Sequence, residues 1–145
     1  MQYTHIVCPV DGTEITNIGV EHAAYLAKMS GARLTLIHIV EKWYRSTHLV
    51  TDSAEWTKIH EEWLNNGRKL LEDLVKKLQA QGVKDIETVL REGDAAHEIV
   101  ALAIEHKADL IVMATHRYTP VGKLFMGSVI DKVTKHSPCP ILWTF

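Results

Sequence analysis

Cysteine is scarce in this sequence. Its 145 residues hold two, Cys8 and Cys139, and no C-x-x-C pair. That scarcity excludes a disulfide framework and any recognisable cysteine zinc motif, and the two side chains read as reduced thiols of a cytosolic protein. Long apolar runs are missing as well. The stretch Leu110-Ile111-Val112-Met113-Ala114 is among the longest, far short of the roughly 18 residues a membrane-spanning helix needs. Met1-Gln2-Tyr3-Thr4-His5 offers neither a basic start nor an apolar stretch behind it, so nothing there reads as a secretory signal. Nor does charge of one sign dominate. Sixteen Lys and Arg stand against 18 Asp and Glu, a formal net charge of −2, which argues against a broad electrostatic footprint for nucleic acid or an anionic membrane.

What is present is ordinary globular usage, 46% hydrophobic and 23% charged, without repeats, low-complexity segments or an internal linker. A chain of this length buries roughly 70% of its unfolded surface, and residues 1–145 read as one domain. The apolar pattern alternates between two periods. Residues 3–10, 33–40, 86–91, 109–115 and 140–145 read as strands. The fourth is apolar on both faces, as a central strand covered by helices on each side requires.

Between the strands the period is helical. Residues 17–30 place Ile18, His22, Tyr25, Leu26 and Met29 on one stripe and stop at Ser30-Gly31. Residues 52–81 carry Trp56, Ile59, Trp63, Leu70, Leu74 and Leu78 at spacings of three, four and seven, with Gly82 as a terminating glycine. Asp94 reads as the N-cap of 95–107, with Ile99, Leu102 and Ala103 inward. Ser128 with Asp131 forms a capping-box pattern for 129–136, which Pro138 and Pro140 prevent from continuing. Strands separated by such helices must run largely parallel, because each crossover occupies the return path. The expected fold is α/β, an open five-stranded parallel sheet with helices on both faces, Rossmann-like. Residues 41–52, with Trp43-Tyr44-Arg45, form the one long irregular connection and a candidate lid.

Open parallel sheets bind ligands beyond the carboxyl ends of their strands, where strand order reverses. Three segments fall there: Pro9-Val10-Asp11-Gly12, Ile39-Val40-Glu41, and Thr115 to Ser128. Gly127-Ser128 would open the last helix with free backbone N–H groups and a hydroxyl for an anion, although such a start also serves simply as a cap. Asp11 reads equally as the residue that fixes a turn at Asp11-Gly12-Thr13. The nine histidines form no H-E-x-x-H pair and have no cysteine at ligand spacing, so no metal site is read from them. His38 reads as a hydrogen-bonded interior imidazole. No G-x-S-x-G elbow exists, and Gly122-Lys123-Leu124 lacks the other parts of a P-loop. No catalytic residue can be named, and the chain is not read as an enzyme.

Several stretches together resemble the universal stress protein family over essentially the whole length. They are Ile6-Val7-Cys8-Pro9-Val10-Asp11-Gly12-Thr13-Glu14, Leu36-Ile37-His38-Ile39-Val40, Gly93-Asp94-Ala95-Ala96, Ala108-Asp109-Leu110-Ile111-Val112-Met113, and Gly127-Ser128-Val129 through Ser137-Pro138-Cys139-Pro140-Ile141-Leu142. The resemblance implies sheet order 3-2-1-4-5 and a homodimer joined through the final strands, here Ile141, Trp143 and Phe145. It also implies, for one branch of the family, ATP or another adenine nucleotide, with or without Mg2+ or Mn2+, in the crevice between strands one and four.

That branch carries a motif of Gly, two residues, Gly, nine residues, then Gly-Ser or Gly-Thr. Here Gly127-Ser128 stands at the right spacing, but Ala114 and Arg117 occupy the two earlier glycine positions, and Pro120 stands where many members have another glycine. Carried over by the resemblance, Pro9, Val10 and Asp11 border the crevice, with Asp11 on the ribose or a phosphate-bound metal. Ile39 lies near the adenine, Met113, Thr115 and His116 line the crevice, and Gly127, Ser128 and Val129 offer helix-start N–H groups to phosphates. Arg117 either obstructs a phosphate loop or grips phosphate with its guanidinium. Three readings follow. One is a cytoplasmic nucleotide-dependent switch with an unidentified protein partner; the second is a dimeric interaction protein whose nucleotide site has decayed; the third, a slow ATPase or phosphotransferase, has no identifiable water-positioning residue or attacking group.

Overall fold

The computed structural model describes residues 1–41, 54–115 and 129–145. Along the chain run β1 (His5–Pro9), α1 (Glu14–Ser30), β2 (Arg33–Glu41), α2 (Ala54–Ala80), β3 (Ile86–Gly93), α3 (Ala95–Glu105), β4 (Leu110–Ala114), a helix over 129–136 (α4) and β5 (Ile141–Thr144). The strands form one sheet in the order β3-β2-β1-β4-β5, and every pair is parallel. The chain thus winds outward from β1 to one edge, then crosses back to β4 and β5 on the other side.

Period-two alternation sorts the strand side chains into two cores. On one face Ile6, Cys8, Leu34, Leu36 and Val112 meet Val20, Ala23, Ala24 and Ala27 of α1 and Leu71, Leu74 and Leu78 of α2. On the other, Val7, Ile37, Ile111 and Met113 meet Ile99, Leu102 and Ala103 of α3 and Val133 of α4. β1 and β4 are buried from both sides, and Ile6, Val7, Ile111 and Val112 are wholly enclosed. Their unbroken β-branched and aliphatic runs are what that position demands.

Helix α1 starts earlier than its apolar period suggests. Thr13 is its N-cap, its hydroxyl accepting from the Thr16 N–H. Its buried face is also not the expected stripe. Ile18, Tyr25 and Met29 are exposed, and the interior face is Gly19, Val20, Ala23, Ala24 and Ala27. The reason is distance. At Gly19 a methyl group would lie 3.3 Å from Thr144 Oγ1 and 3.6 Å from the Ala114 backbone N, so α1 rides too low on the sheet for large side chains.

The other helices end on hydrogen-bonded caps. After α2 the Gly82 N–H bonds the Gln79 carbonyl and the Val83 N–H bonds that of Leu78, the paired bonds of a Schellman motif. Helix α3 is capped as expected by Asp94, whose carboxylate accepts from the His97 N–H at 3.0 Å. It stops two residues short of the expected 107, at Glu105, with Lys107 at φ 51°. β3 runs on past the expected 91 to Gly93. Among the described residues no helix is long and apolar enough to cross a membrane.

Candidate functional site

Strand order reverses between β1 and β4, whose connections lead to opposite sides of the sheet. The crevice beyond their carboxyl ends is where an open α/β sheet accepts a ligand. β1 ends there at Pro9, and the chain continues through Val10, whose N–H bonds the Ile37 carbonyl at 2.9 Å. β4 ends at Ala114, and the Thr115 N–H bonds the Thr144 carbonyl at 2.8 Å. The sheet therefore holds Pro9, Val10, Ala114 and Thr115 at the rim. The side chain of Ala114 faces α1 at Gly19, so its methyl group fills the groove under that helix.

Asp11 sits in the turn after β1. Its Oδ1 accepts from the Thr13 N–H at 2.9 Å, the Thr13 hydroxyl at 2.6 Å and the Thr16 hydroxyl at 2.9 Å. Burial alone would raise its pKa, but the Thr13 and Thr16 hydrogen bonds, helped by nearby His38, bring it below the ordinary carboxylate value. Asp11 is therefore an anion, anchored through one oxygen. The turn reading of this residue is correct, and it leaves Oδ2 outside those bonds.

Beside Asp11 opens a pocket of about 430 Å³, lined by Asp11, Gly12, His38, Val40 and Glu41 from the sheet and by Trp63, Asn66 and Leu70 from α2. The His38 Nδ1–H donates to the Val10 carbonyl at 2.8 Å, so the imidazole is the satisfied interior group expected and also forms a pocket wall. Gly67 lets α2 cross directly above it: a methyl group there would meet His38 Cδ2 at 2.7 Å. Glu41 closes the pocket. Burial raises its pKa, and Asp94 raises it further. Two carboxyl groups on apolar and aromatic walls suit hydroxyl donors better than phosphate.

Ile39, Met113 and Val129 are placed differently. All three pack with the α3 and α4 core, on the face of the sheet away from this pocket. Strand alternation explains the split, since Ile39 points opposite to His38 and Val40. His116, Arg117, Gly127 and Ser128, and the candidate lid residues from 42 onward, lie outside the described residues. Sequence reading missed Trp63, Asn66 and Leu70 as pocket walls. The available signal was Gly67, a glycine inside a long helix, which signals close approach.

Neither thiol is poised for chemistry. Burial pushes Cys8 up to about 12, and burial also raises Cys139, against the hydrogen bond it shares with the Ser137 hydroxyl.

Topology, parallel pairing and a crevice at the switch point define an open doubly wound α/β protein. The sequence profile of the universal stress protein family matches residues 2–144, and the chain belongs to that family. The universal stress protein MJ0531 of Methanocaldococcus jannaschii is 36% identical over 142 residues, covering 97% of this chain and 81% of the relative. Among solved structures, the hypothetical protein MJ0577 superposes with a TM-score of 0.81 at 22% identity, covering 99% of this chain and 96% of the other. A universal stress protein in complex with cAMP gives a TM-score of 0.73 at 22% identity, covering 99% and 98%. The universal stress protein from Archaeoglobus fulgidus in complex with dAMP gives 0.68 at 21%, covering all of both chains.

Proposed function

We propose that this protein binds an adenine nucleotide, ATP first among the candidates, in the crevice between β1 and β4 and the adjoining pocket under α2. The observation that carries the reading is Asp11: an ionised carboxylate, fixed by three donors to one oxygen, at the mouth of a part-apolar pocket at the switch point. An acid so placed matches the ribose hydroxyls of a nucleotide. The acidic character of the pocket assigns it to base and ribose, with the phosphates directed to the connection between β4 and α4, where Gly127-Ser128 and Arg117 stand in the sequence. The cAMP and dAMP held by the two related structures support an adenine ligand. The missing glycine at 114 does not oppose it, because Ala114 directs its methyl group at α1.

In this reading the nucleotide sets a conformational balance that a partner protein senses, in the cytoplasm, without a chemical step assigned to any residue. Binding shifts such a balance only by its difference in affinity for the two states. The protein acts as a homodimer. Among the described residues β5 is an edge strand with β4 as its one neighbour; Ile141 and Trp143 pack into their own core, while Leu142 and Phe145 face outward. An edge of this kind calls for a mate, and a two-fold copy supplies one. Arg117 in the place of a motif glycine favours the second reading, a dimeric interaction protein that has lost its nucleotide.

Calorimetric titration with ATP, with and without magnesium, tests the binding, together with analysis of small molecules released on denaturing the purified protein. One nucleotide per chain, or adenine nucleotide released, upholds it. No heat up to millimolar ATP and nothing released transfers the assignment to the second reading. Sedimentation of the protein with and without ATP checks the dimer.

A further inference from the structure

At the opposite end of the sheet, where the strands begin, four polar side chains from four elements converge. His5 opens β1, Thr35 and Glu87 are paired near the starts of β2 and β3, and His106 follows α3. Thr35 is wholly buried. Its hydroxyl donates to Glu87 Oε2 at 3.1 Å and lies 2.6 Å from His5 Nε2. Because its single proton goes to the carboxylate, His5 is the donor in the second bond. The two imidazole rings lie 5.3 Å apart, centre to centre.

This network satisfies His5, Thr35 and Glu87 and leaves His106 over. His106 Nδ1 is shut off from solvent and makes no hydrogen bond among the described residues. Its nearest acidic atom, Glu87 Oε2, is 3.4 Å away. That is long for an N–H to carboxylate bond. It is, however, the distance between two ligands on one tetrahedral ion: metal bonds of about 2.0–2.1 Å at tetrahedral angles put donor atoms about 3.3–3.4 Å apart. One nitrogen from each of His5 and His106 and one oxygen of Glu87 all lie within 4.8 Å of one another, so three donors are gathered around one place.

We propose that His5, Glu87 and His106 bind a zinc-type divalent cation, with water as the fourth ligand, at the end of the sheet remote from the nucleotide crevice. Two imidazoles and one carboxylate are the donor set that borderline ions such as Zn2+ take, and that Mg2+ and Ca2+, which prefer oxygen, do not. Thr35 holds the carboxylate in place from beneath, the role usual for a buried hydroxyl behind a metal ligand. Glu87 and His106 keep 37% and 24% of their side-chain surface exposed, so the ion enters from solvent without opening the core. The ion would tie β1, β3 and the end of α3 together, and this assignment is independent of whether the crevice holds nucleotide.

The test uses the whole chain, stripped with chelator and free of nucleotide, titrated with Zn2+ against a chromophoric competitor, and with Co2+ as spectroscopic probe. We expect one tight equivalent of Zn2+ and an intense visible Co2+ band of four-coordinate geometry. His106→Gln and Glu87→Gln should each weaken Zn2+ binding by at least about tenfold to a hundredfold and abolish that band, while Cys139→Ser leaves both unchanged. Circular dichroism of each variant confirms that it is folded, and His5→Gln replaces either one that is not. Unchanged Zn2+ affinity in folded variants, a band lost with Cys139→Ser, or no stoichiometric binding by the parent protein would each overturn the assignment.

Discussion

Gly67 of α2 passes over His38 of β2 so closely that a methyl group in its place would sit 2.7 Å from the ring Cδ2 and 2.9 Å from Leu90 Cδ1. Leu90 can swing aside, but His38 is held by its bond to the Val10 carbonyl. Gly67→Ala gains about 1 kcal/mol of helix propensity and incurs about 1–3 kcal/mol of overpacking. The expected net is a loss of about 1 kcal/mol, read from the urea midpoint. The double variant Gly67→Ala with His38→Ala should be more stable than the overpacking alone predicts. A plain gain in stability from Gly67→Ala would refute the close crossing.

Lys107 ends α3 in the left-handed region, φ 51°, with the Ala108 N–H bonded to the Ala103 carbonyl. Gly31 and Gly82 hold comparable positive φ after α1 and α2. An L-residue there costs about 1–2 kcal/mol, partly offset by the added freedom glycine gives the unfolded chain. Lys107→Gly should therefore raise stability by about 0.5–1 kcal/mol in chemical denaturation, and a fall would show that the lysine side chain contributes something the backbone geometry does not.

Two buried threonines should respond in opposite directions to the same change. Thr35 Oγ1 bonds Glu87 and His5, whereas Thr144 Oγ1 is buried with no hydrogen bond among the described residues. Thr144→Val removes an unsatisfied hydroxyl and should stabilise by about 1 kcal/mol, while Thr35→Val strands its partners and should destabilise by about 1–3 kcal/mol. Thermal denaturation of the pair checks this, and equal shifts would count against it.

The contrast between α1 and α3 shows where sequence is legible. Ile99, Leu102 and Ala103 lie inward as their period says. α1 lies close, so small residues face the sheet and the large ones of the expected stripe face solvent. Apolar size is a poor guide where backbone approach sets the packing. The parallel strands are legible because β1 and β4 are apolar on both faces; their order came through family resemblance. At the site, Asp11 and its turn are local and readable. Trp63 and Asn66 reach the pocket only through the path of α2, and His5, Glu87 and His106 meet only through strand register, so no spacing in the sequence announces either group.

Asp109 fastens the start of β1 to that of β4. Its Oδ2 accepts from the Thr4 N–H at 2.7 Å and the Thr4 hydroxyl at 2.8 Å, and its Oδ1 from the His5 N–H at 3.1 Å. Burial would raise its pKa, but these N–H and O–H donors bring it below the ordinary carboxylate value. A lowered folded pKa means stability that is present above the unfolded value of about 4 and is lost as pH falls through the lower folded value. Asp109→Asn should therefore be less stable than the parent protein at neutral pH, with the gap closing below about pH 4. Urea midpoints of both proteins across that range decide it: a gap that stays constant into acid would mean the carboxylate charge plays no part.

Asp11 separates folding from binding within one side chain. Oδ1 serves the turn through Thr13 and Thr16, and the proposed ribose contact falls to the rest of the carboxylate. Asp11→Asn keeps a carbonyl oxygen for the three donors and removes the charge. At neutral pH it should give up the part of the stability that the lowered folded pKa of the carboxylate represents, while weakening ATP binding by about tenfold to a hundredfold, the worth of a charged hydrogen bond. Asp11→Ala removes both functions and should also destabilise by about 1 kcal/mol or more as the turn and the start of α1 lose their acceptor. If Asp11→Asn binds ATP as the parent protein does, the carboxylate is a turn residue alone, and the ribose must find its partner elsewhere in the pocket, with Glu41 the next acid to replace.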